Sequence, residues 1–211
     1  MRPDAKAAAA KARRGRHGWG WYDGEMLDPA LLAPEEIRPL SRAEYDRLVE
    51  LDFFEDERVE LLRGALVKMS PQGAPHANAP ARLMKRLILG LGDRAQVRAH
   101  SPLALGDWSE PEPDIAVVLP GDYSRAHPET ALLVVEAADS SLRKDRRIKA
   151  ELYAEHSIPE YWIINLVEGA VEVHTLPVGG RYTRVETFGP GDSLCMNAFP
   201  DLRVEVSELF S

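Results

Sequence analysis

With a single cysteine among 211 residues, Cys195, the chain cannot close an internal disulfide, and every Cys-rich zinc framework is excluded. One free thiol fits a reducing compartment, and a cytoplasmic location is the expectation. No run of about 18 apolar residues occurs, so no membrane-spanning helix is expected. The N-terminal stretch MRPDAKAAAAKARRGRHG is basic and Ala-rich but lacks the apolar run of a secretory signal. His100, His127, His156 and His174 are scattered without ligand spacing, which excludes a zinc site. Positive charge is also scarce. Lys and Arg number 26 against 34 Asp and Glu, a net charge of −8, which argues against a protein that coats nucleic acid electrostatically. That balance still permits an enzyme that visits nucleic acid, because an acidic site that gathers divalent metal supplies its own cations beside a phosphate.

What is present is ordinary for a globular chain: 45% hydrophobic and 28% charged residues, enough for one self-sufficient core. The charge is unevenly placed. Residues 1–18 hold six Lys or Arg and one acid, so the remainder carries a net −13. Without an amphipathic partner this stretch reads as a disordered arm. Residues 19–40 combine Trp19, Trp21 and Tyr22 with Pro29, Pro34 and Pro39, an irregular segment suited to lying on a domain surface or against a second subunit. The domain division expected is therefore an arm over 1–40 and a folded domain over 41–211.

Ser41 and Glu44 have capping-box spacing and open a helix running to about Asp52. RVELL and ALVKMS flank Arg63-Gly64 as a hairpin. Ala79, Leu83, Leu87 and Leu91, with Met84 and Ile88 beside them, predict an amphipathic helix over 75–91. QVRAHSPLAL reads as a strand interrupted at Pro102. DIAVVLP and ALLVVEAA have the Val/Ile/Leu content of central strands covered on both faces. A helix over 141–156, with Leu142, Ile148, Leu152 and Tyr153 inward, precedes three strands, EYWIINL, AVEVHTL and RYTRVETF. Helices interleaved with a mixed sheet make an α/β domain with a β-rich C-terminal extension.

The chemistry lies at the ends of the two central strands. Asp114 opens one and Glu136 closes the other. Carboxylates at the rim of an apolar sheet are costly without a cation, and two of them with a backbone carbonyl and waters are what magnesium or manganese prefers. Glu60 stands among apolar neighbours in the first hairpin strand. Lys149 and Tyr153 share a helix face four residues apart, and a lysine beside a metal-bound water can stabilise charge developing on a phosphate. Each residue also has a structural reading. Glu136 can satisfy a backbone group or an Arg, Lys149 can pair with Asp145 on a surface, Glu60 can face water, and Tyr153 can be core.

Val59-Glu60-Leu61-Leu62-Arg63-Gly64, Met69-Ser70-Pro71 with His76 beyond it, Pro113-Asp114-Ile115-Ala116-Val117-Val118, Leu133-Val134-Val135-Glu136, and Lys149 to Tyr153 followed by Ile158-Pro159-Glu160-Tyr161-Trp162 occur in an order that resembles the Uma family of restriction endonucleases over about residues 41–200. The resemblance implies the PD-(D/E)XK phosphodiesterase fold, a restriction-endonuclease-like mixed β-sheet core of four strands flanked by helices, here with added C-terminal strands. It implies Asp114 and Glu136 as metal ligands with the Ala137 carbonyl, Glu60 as the upstream acid serving a second metal or a metal-bound water, and magnesium or manganese as cofactor. The usual lysine position two residues after Glu136 is Ala138, and Lys149 on the following helix takes that role. His76 and Tyr153 are candidates for contacting substrate. DNA is the expected partner and a homodimer the expected assembly, since cutting two strands suits two sites. The alternative is a nuclease-fold domain that binds nucleic acid or protein without cutting.

Overall fold

The structure, a computed structural model, describes residues 37–69 and 73–211, apart from the side chains of 74–76. The expectations for the N-terminal arm, for the Trp19 to Tyr22 interface and for the His76 side chain lie outside the described residues. Pro39 to Ser211 cluster together as one unit.

Helix α1 (Arg42–Glu50) begins with the expected box: the Glu44 amide donates to the Ser41 hydroxyl, and the Ser41 amide donates to the Glu44 carboxylate at 3.0 Å. Strands β1 (Val59–Leu62) and β2 (Ala65–Lys68) pair antiparallel across a two-residue turn. Arg63 and Gly64 in that turn have φ of 52° and 80°, the signs that match the twist of a tight hairpin. Gly64 has a second reason to be glycine, because a Cβ there would fall 2.4 Å from the Pro39 Cβ.

The central sheet has six strands in chain order: β3 (Gln96–Ala99), β4 (Ile115–Val118), β5 (Leu133–Ala138), β6 (Glu160–Asn165), β7 (Ala170–Val178) and β8 (Arg181–Phe188). Only β5 and β6 run parallel; the other neighbours are antiparallel. The expected four-stranded core is thus extended to six. β4, β5 and β6 are buried along their whole length, as their continuous apolar runs require when both faces are covered. One face packs on Ala79, Leu83, Leu87 and Leu91 of α2 (Ala74–Leu91) and on the hairpin β9 (Ser193–Met196) and β10 (Phe199–Glu205) with α5 (Val206–Phe210). The other face packs on Leu62 of the first hairpin and on Ala150, Leu152 and Tyr153. Ile88, expected beside the core, is 49% exposed on the outer side of α2.

The segment after β5 forms one continuous helix in three parts: α3 (Leu142–Lys144), a π turn over Asp145–Lys149 and α4 (Ala150–Glu155). An α-helix drifts about 40° for every four residues, and the wider π turn takes up that drift. Asp145, Lys149 and Tyr153 are therefore all buried together, at 2%, 2% and 0% exposure. The same turn rotates Ile148 outward, to 45% exposed, against the inward position its spacing predicts.

Glu110 is buried against α1, its backbone bonded to Leu61 and its Oε2 lacking a hydrogen-bond partner among the described residues. Burial, together with the Asp46 charge, outweighs Arg42 and pushes its carboxyl up to about 7 from 4.5. The folded state thus binds the Glu110 proton more tightly than the unfolded chain, so this residue's stability contribution is present below about pH 4.5 and lost as pH rises through about 7. Glu110→Gln is expected to stabilise the protein by roughly 1–2 kcal/mol at pH 8 and to have little effect near pH 4.5. Urea midpoints of the two proteins at both pH values check this; a variant no more stable than wild type at pH 8 contradicts it.

Candidate active site

Asp114 immediately precedes β4, and Glu136 lies near the end of β5. The antiparallel register that sets Ile115 opposite Val135 continues to place Asp114 opposite Glu136. Alternation along β5 directs Glu136 away from the α2 side, toward the face that carries Lys149 and Tyr153. Glu60 comes to the same place from β1. Lys149 Nζ stands 2.8 Å from Glu136 Oε1 and 3.0 Å from Glu60 Oε2. The Tyr153 hydroxyl donates to the same Glu136 oxygen at 2.9 Å, and Asp114 Oδ2 accepts the Ala137 amide at 2.7 Å. Six of the expected residues, Ala137 included, are thereby brought together.

Two of them have partners that the sequence did not reveal. Tyr153 is fully buried, with its hydroxyl on Glu136. Glu60 commits Oε1 to Lys144 at 3.0 Å and Oε2 to Lys149 at 3.0 Å, with a longer bond from the Glu112 amide. In this arrangement both Glu60 oxygens hold ammonium groups.

Sequence reasoning missed Lys144 and treated Asp145 as half of a surface pair. Asp145 is instead buried, accepting from the Ser141 hydroxyl at 2.6 Å. A signal for Lys144 existed in the run Arg143 to Lys149, which packs five cations into seven residues of an acidic chain. Arg146 in that run forms a bidentate pair with the buried Glu172, which also accepts from Asn165. Arg143 and Arg147 are exposed. His100, dismissed as scattered, sits with Nδ1 3.6 Å from Asp114 Oδ1.

The electrostatics are those of crowded, buried carboxylates around an ammonium. Burial, the nearby Asp114, Asp145 and Glu60 charges, and only partial relief from Lys149 push the Glu136 carboxyl up to about 8. Burial also raises Asp145. Burial raises Glu60 as well, but Lys149 and Lys144 outweigh it and hold that carboxyl below its usual value. Burial alone lowers an ammonium; three carboxylates around Lys149 overcome it and hold the proton on more firmly than usual. Four buried carboxylates, Glu60, Asp114, Glu136 and Asp145, thus lie in one cluster with Lys144 and Lys149, and their crowding helps to hold the proton on Glu136.

Among the described residues, no three His, Cys, Asp or Glu side chains form a ready metal cage. The donor set nevertheless suits a hard divalent ion that keeps several waters. Asp114 and Glu136 are adjacent carboxylates, and Lys149 and Tyr153 both use Oε1 of Glu136 rather than Oε2. A strand residue sends its N–H and C=O to the same flank, so the Ala137 carbonyl points to the side where its amide meets Asp114.

A mixed sheet with carboxylates at its central strand ends and a lysine leaning in from the next helix defines a restriction-endonuclease-like α/β protein. The family model of Uma2, described as a putative restriction endonuclease, matches residues 42–207. The chain belongs to that family. Among solved structures it is similar to a putative nuclease of DUF820 from Anabaena variabilis, with a TM-score of 0.65 at 17% identity, covering 82% of this chain and 98% of that one. At that identity the likeness concerns the fold. No curated protein matches. Among the described residues, no helix is long and apolar enough to cross a membrane.

Proposed function

We propose that this chain is a magnesium- or manganese-dependent endonuclease that hydrolyses phosphodiester bonds in DNA. The observation that carries the reading is the convergence of Glu136 and Glu60 on Lys149, with Asp114 set beside Glu136 by the strand register. Family membership and the Anabaena protein's description as a nuclease support it. Asp114, Glu136 and the Ala137 carbonyl would hold the ion, which when bound supplies Lewis acidity and a more acidic water.

The chain's own residues do the rest. Lys149 enters as an ammonium, so it donates hydrogen bonds and cannot serve as the base. Two of its three N–H groups meet Glu136 and Glu60, which leaves one for the attacking water or a non-bridging phosphate oxygen. Glu60 and Tyr153 are positioning residues, the first fixing Lys149 and the second Glu136. Arg143 and Arg147, exposed on the helix that carries Lys149, offer contacts to the DNA backbone, a local basic patch being what counterion release rewards. Homologous pairing of two copies would serve both strands of a duplex.

The direct experiment incubates purified protein with supercoiled plasmid and magnesium, with and without a chelator. Nicking that requires the ion and is abolished in Asp114→Ala is the expected result; nicking unaffected by chelator or by the substitution contradicts it. A second reading, a binding domain that does not cut, draws on the closure of both lysines onto Glu60. Calorimetry separates the two, since DNA binding without any divalent-metal heat supports the second.

A further inference from the structure

The six-stranded sheet ends in β8, and among the described residues no strand pairs with its outer edge. This edge carries charge at Arg181, Arg184 and Glu186 but lacks other usual guards against pairing. It is eight residues long and contains no Pro and no Lys, and Val185 at its middle is 53% exposed. Its only adjacent charges of opposite sign, Arg184 and Glu186, lie two residues apart and pair with each other at 2.8–2.9 Å, which places them on one face.

We propose that two copies of this chain pair β8 to β8, antiparallel, about a two-fold axis at Val185, joining both sheets into one of twelve strands. The register follows from three constraints. Residues opposite each other in an antiparallel pair must turn their backbone groups the same way, and along one edge these alternate. A two-fold axis therefore passes through a residue facing its own copy, never between two residues. Only axes at Arg184 and Val185 align seven residues of the strand. The first sets Arg184 against Arg184 of the second copy. The second sets Arg184 against Glu186, Thr183 against Thr187 and Val185 against Val185, so every charge on the central segment meets its opposite. The seam is isologous, with Arg184 meeting Glu186 twice. Strand pairing alone buries less than about 1,000 Å², so association is concentration-dependent, with a dissociation constant on the order of tens of micromolar. This inference does not rest on the nuclease reading.

The test is charge exchange on the full chain, followed by sedimentation velocity up to about 100 µM. Wild type is expected to sediment as a dimer at the top of the series and a monomer at the bottom. R184E faces Glu with Glu and E186R faces Arg with Arg, so each alone is expected to remain monomeric. Mixed in equal amounts they restore complementarity and form a heterodimer, and the double swap R184E/E186R recovers the homodimer. Both rescues depend on folded protein, so they separate lost pairing from lost structure. Hydrogen exchange is expected to show outward amides of β8 protected only at high concentration. Wild type that stays monomeric throughout overturns the proposal, as do single variants that still dimerise or a mixture that fails to associate. Concentration-independent protection of those amides in a monomer likewise overturns it.

Discussion

Lys149→Met is expected to reduce magnesium-dependent cleavage by about 100- to 1,000-fold and to destabilise the fold by about 3–5 kcal/mol. The two effects have different origins. Lys149 Nζ lies within 3.0 Å of both Glu60 and Glu136, each buried, and removing it leaves Glu136 without a cation partner and Glu60 with Lys144 alone. The catalytic loss comes from the missing donor at the position where charge develops on the phosphate. A second variant separates them. Adding Glu136→Gln to Lys149→Met removes one stranded charge, so the thermal midpoint recovers in part while cleavage stays lost. Plasmid nicking measured well below the midpoint, beside thermal unfolding of the same samples, checks both effects. Cleavage by Lys149→Met at the wild-type rate would show that the ammonium is purely structural.

Magnesium is expected to stabilise the wild-type protein by about 2.7 kcal/mol when present at about 100 times its dissociation constant, even without DNA. The cause is crowding: a divalent ion relieves the repulsion among buried carboxylates that, with burial, raises Glu136. Asp114→Asn is expected to abolish this gain along with cleavage. The substitution keeps an oxygen able to accept the Ala137 amide, so the junction of β4 and β5 survives. Glu60→Gln is expected to retain the magnesium gain, because both Glu60 oxygens are engaged by Lys144 and Lys149. Thermal unfolding with and without magnesium reads all three proteins. An equal shift in Asp114→Asn and wild type would remove Asp114 from the ion's ligands, and a lost shift in Glu60→Gln would restore Glu60 to them.

Much of this site was legible because its residues stand where local pattern is strongest. Asp114 and Glu136 interrupt runs of Val, Ile and Leu, and a charge inside such a run has to be compensated. Ser41 and Glu44 were equally plain, since a capping box involves four consecutive residues. Lys144 was not legible. Its partner Glu60 lies 84 residues away, and only the packing of the first hairpin on the helix after β5 brings them together. Tyr153 was placed near the chemistry by its spacing from Lys149, but its depth depends on Tyr161 and Ile163 beneath it. The outward turn of Ile148 was hidden for a related reason: a π turn has no reliable sequence pattern, and a strict α period misassigns the residues inside it.

The sequence by itself determined the alternation of helices and strands, the burial of the central sheet and the acids at its rim, because each depends on side-chain polarity at fixed local spacing. Tertiary structure alone decided which ammonium closes on which carboxylate, that Glu60 meets two lysines at once, and which strands stand at the ends of the sheet. Those outcomes depend on how elements distant in the chain meet. Charge compensation in a buried site is set by distances of a few ångströms between groups that the linear order keeps far apart.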